Sequence, residues 1–145
     1  MFEKKYIFRI NENVTRDEVL DIVGKKFYHD GIVTEDFAEA IKKRENDFPT
    51  GMILENGTNT AISHTDDKYV ITDKIAIVIS EKPVVFKNIE TGEEIVECNV
   101  FFVMALTKEN KNAILAGMAE LFENYEKILK KFISMTNDEI LEILL

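Results

Sequence analysis

Apolar and polar positions alternate at the start of the chain: Tyr6, Phe8 and Ile10 share one side of the segment Lys5 to Ile10, which predicts a strand, with Asn11 to Asn13 turning out of it. The period then lengthens to that of a helix. Thr15 followed by Glu18 has capping-box spacing, and Val19, Leu20, Val23 and Phe27 recur on one face. His29-Asp30-Gly31 closes that helix, with Gly31 able to take left-handed backbone. A second helix is expected, with Thr34 as N-cap, Glu35 and Asp36 at the positive end of its dipole, a stripe of Phe37, Ala40 and Ile41, and an end near Arg44 to Asp47.

From Phe48 to Ser63, Pro49, Gly51, Asn56-Gly57 and Asn59 punctuate short apolar pieces such as Met52-Ile53-Leu54 and Ala61-Ile62, a pattern of loops and short strands. Lys74 to Ser80, Val84 to Phe86 and Ile95 to Leu106 are β-rich, with a turn around Thr91-Gly92. Helical spacing returns with Ile114, Leu115, Met118, Leu121 and Phe122, and Tyr125, Ile128, Leu129 and Phe132 continue or restart it. Asn137 is placed to cap a last helix ending at Leu145. Helices at both ends with strands between them predict an α/β or α+β domain over residues 1–145, a sheet covered by helices in two or three layers.

Composition agrees with one core. The 145 residues are 46% hydrophobic, 10% aromatic and 31% charged, enough to fold without metal or disulfide staples. A net charge of -9 and a pI near 4.8 oppose nucleic-acid and anionic-lipid binding, and no Lys/Arg cluster reverses that field locally. The acidic balance makes a solitary, well-placed Arg informative, because any phosphoryl group bound here needs local positive charge. Cys98 is the sole cysteine, so no intrachain disulfide forms; apolar runs such as Val100 to Leu106 are too short to cross a bilayer; and the first residues lack a signal-peptide core. A cytoplasmic location, with Cys98 a thiol, is the expectation.

Two histidines are available for chemistry. His29 lies at a helix end, whereas His64 lies between short apolar strands, preceded by Thr60-Ala61-Ile62-Ser63 and followed by Thr65-Asp66-Asp67. Taken on local features alone, His64 reads sooner as a solvent-exposed loop histidine than as a reactive one. Asp66, Asp67 and one His make a poor metal set, so no metal is expected. Neither Ser63 nor Cys98 has the context of a nucleophile held by a base, and the scattered glycines form no phosphate-cradling loop.

The run Arg44-Glu45, Phe48-Pro49-Thr50-Gly51-Met52, Ala61-Ile62-Ser63-His64-Thr65-Asp66, Ile75-Ala76-Ile77, Pro83-Val84-Val85-Phe86 and Val103-Met104-Ala105-Leu106 resembles the mannitol/fructose-type IIA domains of bacterial sugar phosphotransferase systems. Pro-Thr-Gly ahead of His-Thr-Asp is most similar to the galactitol branch. The resemblance implies a single domain with a central mixed sheet flanked by helices, and a phosphotransferase without cofactor. It maps the phosphorylated histidine onto His64 and a phosphate-binding arginine onto Arg44, which on its own would read as a solvated cation at a helix C-terminus. It further implies HPr as phosphoryl donor, a cysteine of a IIB subunit as acceptor, and a membrane IIC only indirectly.

Two departures from the family pattern stand out. Ser63 replaces the usual Pro before the histidine, which is expected to loosen the backbone. Lys111 and Asn112 replace a second histidine at the head of a helix, where either still donates to phosphate. One ring nitrogen of His64 must be held by an acceptor, Asp66 or a backbone carbonyl, with Thr65 and Thr50 nearby. Met52, Ile62 or Met104 are candidates for an apolar rim that docks both partners. A regulatory IIA-like domain sensing phosphorylation state without sugar transport is the alternative, and a domain that kept the fold and lost the chemistry is a third.

Overall fold

The computed structural model of the chain describes residues 1–55 and 58–145, the side chains of Tyr125 and Glu126 apart. The expected turn at Asn56-Gly57 and the helix-face position of Tyr125 therefore lie outside the described residues. In chain order the elements are β1 (Ile7–Ile10), α1 (Arg16–His29), α2 (Phe37–Asp47), β2 (Gly51–Ile53), β3 (Asn59–Ser63), β4 (Lys74–Lys87), β5 (Ile95–Ala105), α3 (Lys111–Leu129) and α4 (Asn137–Leu144), with short 3-10 turns between some of them. The strands form one mixed sheet in the order β1-β4-β5-β3-β2. β1 runs parallel to β4 and β3 parallel to β5, while β4–β5 and β2–β3 are antiparallel.

The central strands β4 and β5 are apolar on both faces because both faces are covered. Ala76, Val78, Phe101 and Val103 meet Val19, Leu20, Val23, Phe27, Phe37 and Ile41 from α1 and α2. Ile75, Ile77, Phe102 and Met104 meet Met118, Phe122, Leu129, Phe132 and Ile140 from the C-terminal helices. The domain thus has three layers, helix, sheet and helix, which settles the layer count that sequence had left at two or three. Among the described residues no helix is long and apolar enough to cross a membrane.

The capping box at α1 forms as predicted: Thr15 accepts from the Glu18 amide and Glu18 accepts from the Thr15 amide, both at 3.1 Å. Gly31 follows with φ 75°. Two other caps differ from expectation. α2 starts after Asp36, and the buried Thr34 hydroxyl has no hydrogen-bond partner among the described residues instead of capping. α4 is capped one residue earlier than expected, by Thr136 in a capping box with Glu139, because only that pair has the reciprocal spacing. Tyr6 ends a 3-10 turn, so the strand begins at Ile7.

Lys74 to Ser80 and Val84 to Phe86 are one strand, not two. Its pairing with β5 shifts register between Ile79 and Val84, and Pro83 sits in that irregular stretch, where no ladder amide is required of it. The expected continuation past Leu129 is a 3-10 turn, Lys130–Ser134, whose Phe132 returns to the core.

Candidate functional site

β3 ends at Ser63, paired in parallel with Val103 of β5, so His64 is the first residue past the carboxyl end of a strand inside the sheet. That placement decides its environment. The residue is only 8% exposed, which overturns the reading of a solvent-exposed loop histidine, whereas His29 is exposed on α1.

The Nδ1 atom of His64 lies 2.7 Å from the Ile62 carbonyl oxygen. A carbonyl only accepts, so Nδ1 carries the ring proton and Nε2 keeps its lone pair. Burial pushes the imidazole pKa below its usual value; the Ile62 carbonyl opposes this, and the positive charges of Arg44 and Lys111 add to the depression. The neutral, nucleophilic form is therefore dominant at neutral pH. Those same two cations concentrate positive charge beside the ring in a protein whose net charge is -9.

Arg44 comes from the last turn of α2 and stacks on Phe48, with its guanidinium carbon 4.9 Å from the ring centroid. Among the described residues its buried Nε has no hydrogen-bond partner and Arg44 forms no ion pair. A buried, unpaired guanidinium donor is costly unless an anion completes it. An open cleft lined by Lys43, Arg44, Phe48, Thr65 and Asp66 runs alongside.

Lys111 reaches the site as the first residue of α3. Asp73, at the foot of β4, holds that turn: it accepts from the Thr107 amide at 2.6 Å, the Thr107 hydroxyl at 3.0 Å and the Asn110 side chain at 2.6 Å. These bonds hold the Asp73 carboxyl below the usual carboxylate range against its partial burial, which is the larger single influence. Asn112 is exposed on the same first turn, and no bond joins it to His64.

The other expected neighbours divide. Asp66 does not hold the ring; its carboxylate accepts the Lys68 amide at 2.9 Å and caps a 3-10 turn, Asp67–Tyr69, while the Ile62 carbonyl takes the position at Nδ1. Thr65 is buried beside His64. Thr50 is buried, its hydroxyl accepting the Ile62 amide at 3.3 Å. Of the expected rim, Met52 and Ile62 are partly buried, but Met104 is fully buried in the sheet and presents nothing to a partner.

Sequence reasoning passed over Glu45. This carboxylate is 1% exposed and accepts three hydrogen bonds of 2.6 Å, from the Thr50 amide, the Thr50 hydroxyl and the Ser63 hydroxyl. Burial raises its pKa above the usual carboxylate range; the bonds from Ser63 and Thr50, and the charge of Arg16, pull the other way. The signal was present, since Glu45 is the one acidic residue that lands on the inner face of α2. Ser63, expected to loosen the backbone, is instead fully buried and anchored by its hydroxyl.

A family model described as the phosphoenolpyruvate-dependent sugar phosphotransferase system, EIIA 2, matches residues 1–145. The galactitol-specific EIIA component of Escherichia coli K12 is 27% identical over 131 residues, spanning 89% of this chain and 85% of that protein. Among solved structures, the complex of enzyme IIA-mannitol with phosphorylated IIB-mannitol from Escherichia coli superposes with a TM-score of 0.77 at 17% identity, covering 99% of this chain and 98% of that one. The nitrogen regulatory protein IIA-Ntr from Neisseria meningitidis superposes with a TM-score of 0.75 at 15% identity, covering 99% of this chain and 96% of that one. At these identities the two structures speak for the fold, a five-stranded mixed sheet flanked by helices.

Proposed function

The chain belongs to the EIIA type 2 family of the phosphoenolpyruvate-dependent sugar phosphotransferase system, and on that premise we propose that it takes a phosphoryl group from phosphorylated HPr onto Nε2 of His64 and passes it to a cysteine of a cognate IIB subunit. The observation that carries this reading is the 2.7 Å contact of Nδ1 with the Ile62 carbonyl, which leaves Nε2 as the attacking atom of a buried, neutral ring. No general base is needed to create that nucleophile.

In the forward step the Nε2–P bond forms as the N–P bond of the donor phosphohistidine breaks, and the donor ring leaves with its electron pair. The proton stays on Nδ1, where the positive charge developing in the ring faces the Ile62 carbonyl. Arg44 and Lys111 offset the charge on the phosphoryl oxygens, and the unpaired Arg44 Nε supplies a donor already in place. In the second step the thiolate of the IIB cysteine forms an S–P bond as Nε2–P breaks, and the bonding pair returns to Nε2, restoring the neutral Nδ1–H ring. Galactitol is the proposed sugar, supported by the galactitol-specific relative and by Pro49-Thr50-Gly51 ahead of His64-Thr65-Asp66.

Incubation with enzyme I, HPr and phosphoenolpyruvate tests the reading. One acid-labile phosphoryl group is expected on the wild-type chain and on His29→Ala, none on His64→Ala, and addition of galactitol IIB is expected to discharge it. Labelling that survives in His64→Ala overturns the assignment. Labelling that no IIB discharges would leave a phosphorylation-state sensor in place of a transport subunit.

A further inference from the structure

Two residues before His64 are tied to one carboxylate. Ser63 donates its hydroxyl to Glu45 Oε1 at 2.6 Å, and the Ile62 amide donates at 3.3 Å to the Thr50 hydroxyl, which itself donates to the same Oε1 at 2.6 Å. The Thr50 amide fills Oε2 at 2.6 Å. Ile62 in turn presents the carbonyl that receives the Nδ1 proton of His64. The carboxylate, both hydroxyl-bearing residues and the histidine are all buried, so water does not substitute readily for a lost member.

We propose that Glu45 is a positioning residue for phosphoryl transfer: through Ser63 and through Thr50 it holds the 62–63 backbone so that the Ile62 carbonyl selects the Nδ1–H tautomer and leaves Nε2 to react. The consequence for transfer rests on His64 being the phosphoryl acceptor. The position has a chemical reason to carry a carboxylate rather than an amide. All three donors converge on acceptor sites, and an amide nitrogen at Oε2 would set two donors against each other at the Thr50 amide. It also accounts for Ser63, whose buried hydroxyl supplies by hydrogen bonding the backbone restraint that a proline ring would supply covalently.

The ring itself reports the answer. Nitrogen-15 shifts of the His64 imidazole at neutral pH are expected to show the Nδ1–H tautomer in the wild type and in Thr50→Ser, which keeps the hydroxyl. Glu45→Gln and Thr50→Val are expected to show a mixture with the Nε2–H form, and labelling by phosphorylated HPr is expected to slow in kcat, with KM for HPr unchanged, in proportion to the Nδ1–H fraction lost, about tenfold where about one ring in ten keeps that form. Folded Glu45→Gln and Thr50→Val chains that keep the wild-type ring shifts overturn the proposal and make Glu45 a purely structural group. Should Glu45→Gln fail to fold, the matched pair Thr50→Val and Thr50→Ser carries the same decision. A wild-type chain that has the Nδ1–H ring but takes no phosphate would refute the acceptor assignment, while Glu45's hold on the ring would still stand or fall on the shifts.

Discussion

The role proposed for His64 requires two properties that usually conflict, burial and reactivity, and the Ile62 carbonyl would reconcile them by taking the one proton the neutral ring must keep. Because burial depresses its folded pKa, the rate of phosphoryl acceptance should stay flat down through about pH 6.5, the ordinary imidazole value, and fall only below it. A pH profile of labelling by phosphorylated HPr checks this. The same shift has a stability signature: the unfolded ring binds its proton at higher pH than the folded one. Stability from this group is complete above the ordinary pKa and is lost as pH falls through the depressed folded value, so urea unfolding of His64→Gln should lose that acid-side slope. Arg44 makes a second demand. Lysine would keep the charge but lose the planar fork and its stacking on Phe48, so Arg44→Lys should slow labelling by roughly 10- to 100-fold in rapid-quench experiments, with stability little changed.

At the scale of elements, the site depends on how closely β2 approaches the end of β4. A Cβ on Gly51 would lie 2.6 Å from the Lys87 carbonyl oxygen and 3.1 Å from its carbon, both backbone atoms that cannot swing aside. The Ile89 amide also reaches the Gly51 carbonyl at 2.7 Å. Gly51→Ala should therefore cost about 1–3 kcal/mol in urea unfolding. It should also slow labelling, because Thr50, its neighbour, carries the bonds to Glu45 and Ile62. A labelling rate that survives this destabilisation would separate strand packing from ring placement. Far from the site, Thr136→Ala should remove the α4 capping box, cost about 1 kcal/mol and leave labelling unchanged.

Over the whole molecule, the two apolar clusters lie back to back across one sheet, and Cys98 is sealed within the one that faces α1 and α2. Burial pushes its thiol pKa up to about 12, with the charge of Glu45 adding to the effect. The thiolate is the reactive form, so a thiol reagent should modify native protein very slowly. Its rate should rise with urea in step with the loss of helical circular dichroism; fast modification in native buffer would show that this half of the core opens on its own. Against a net charge of -9, the two cations whose charge acts on His64, Arg44 and Lys111, come from helices on opposite faces of the sheet.

Periodicity was enough to establish most of the helices, the β-rich centre and the α1 cap, because these rest on local spacing and on burying apolar faces. The ordered motif around Arg44, Pro49-Thr50-Gly51 and His64 was enough for the family. Which group holds the imidazole was not legible. Asp66 and Ile62 are each two residues from His64 and each offers an apt acceptor, yet the Asp66 carboxylate caps the turn at Lys68, and the Ile62 carbonyl lies against Nδ1. Glu45 entered only as the partner of Arg44 in the family motif, and Ser63 as a weakened proline site, until folding brought α2 against the β2–β3 pair. Hydrogen bonds between residues 18 positions apart exist only after packing chooses which helix face turns inward, so their partners were decided by tertiary structure alone.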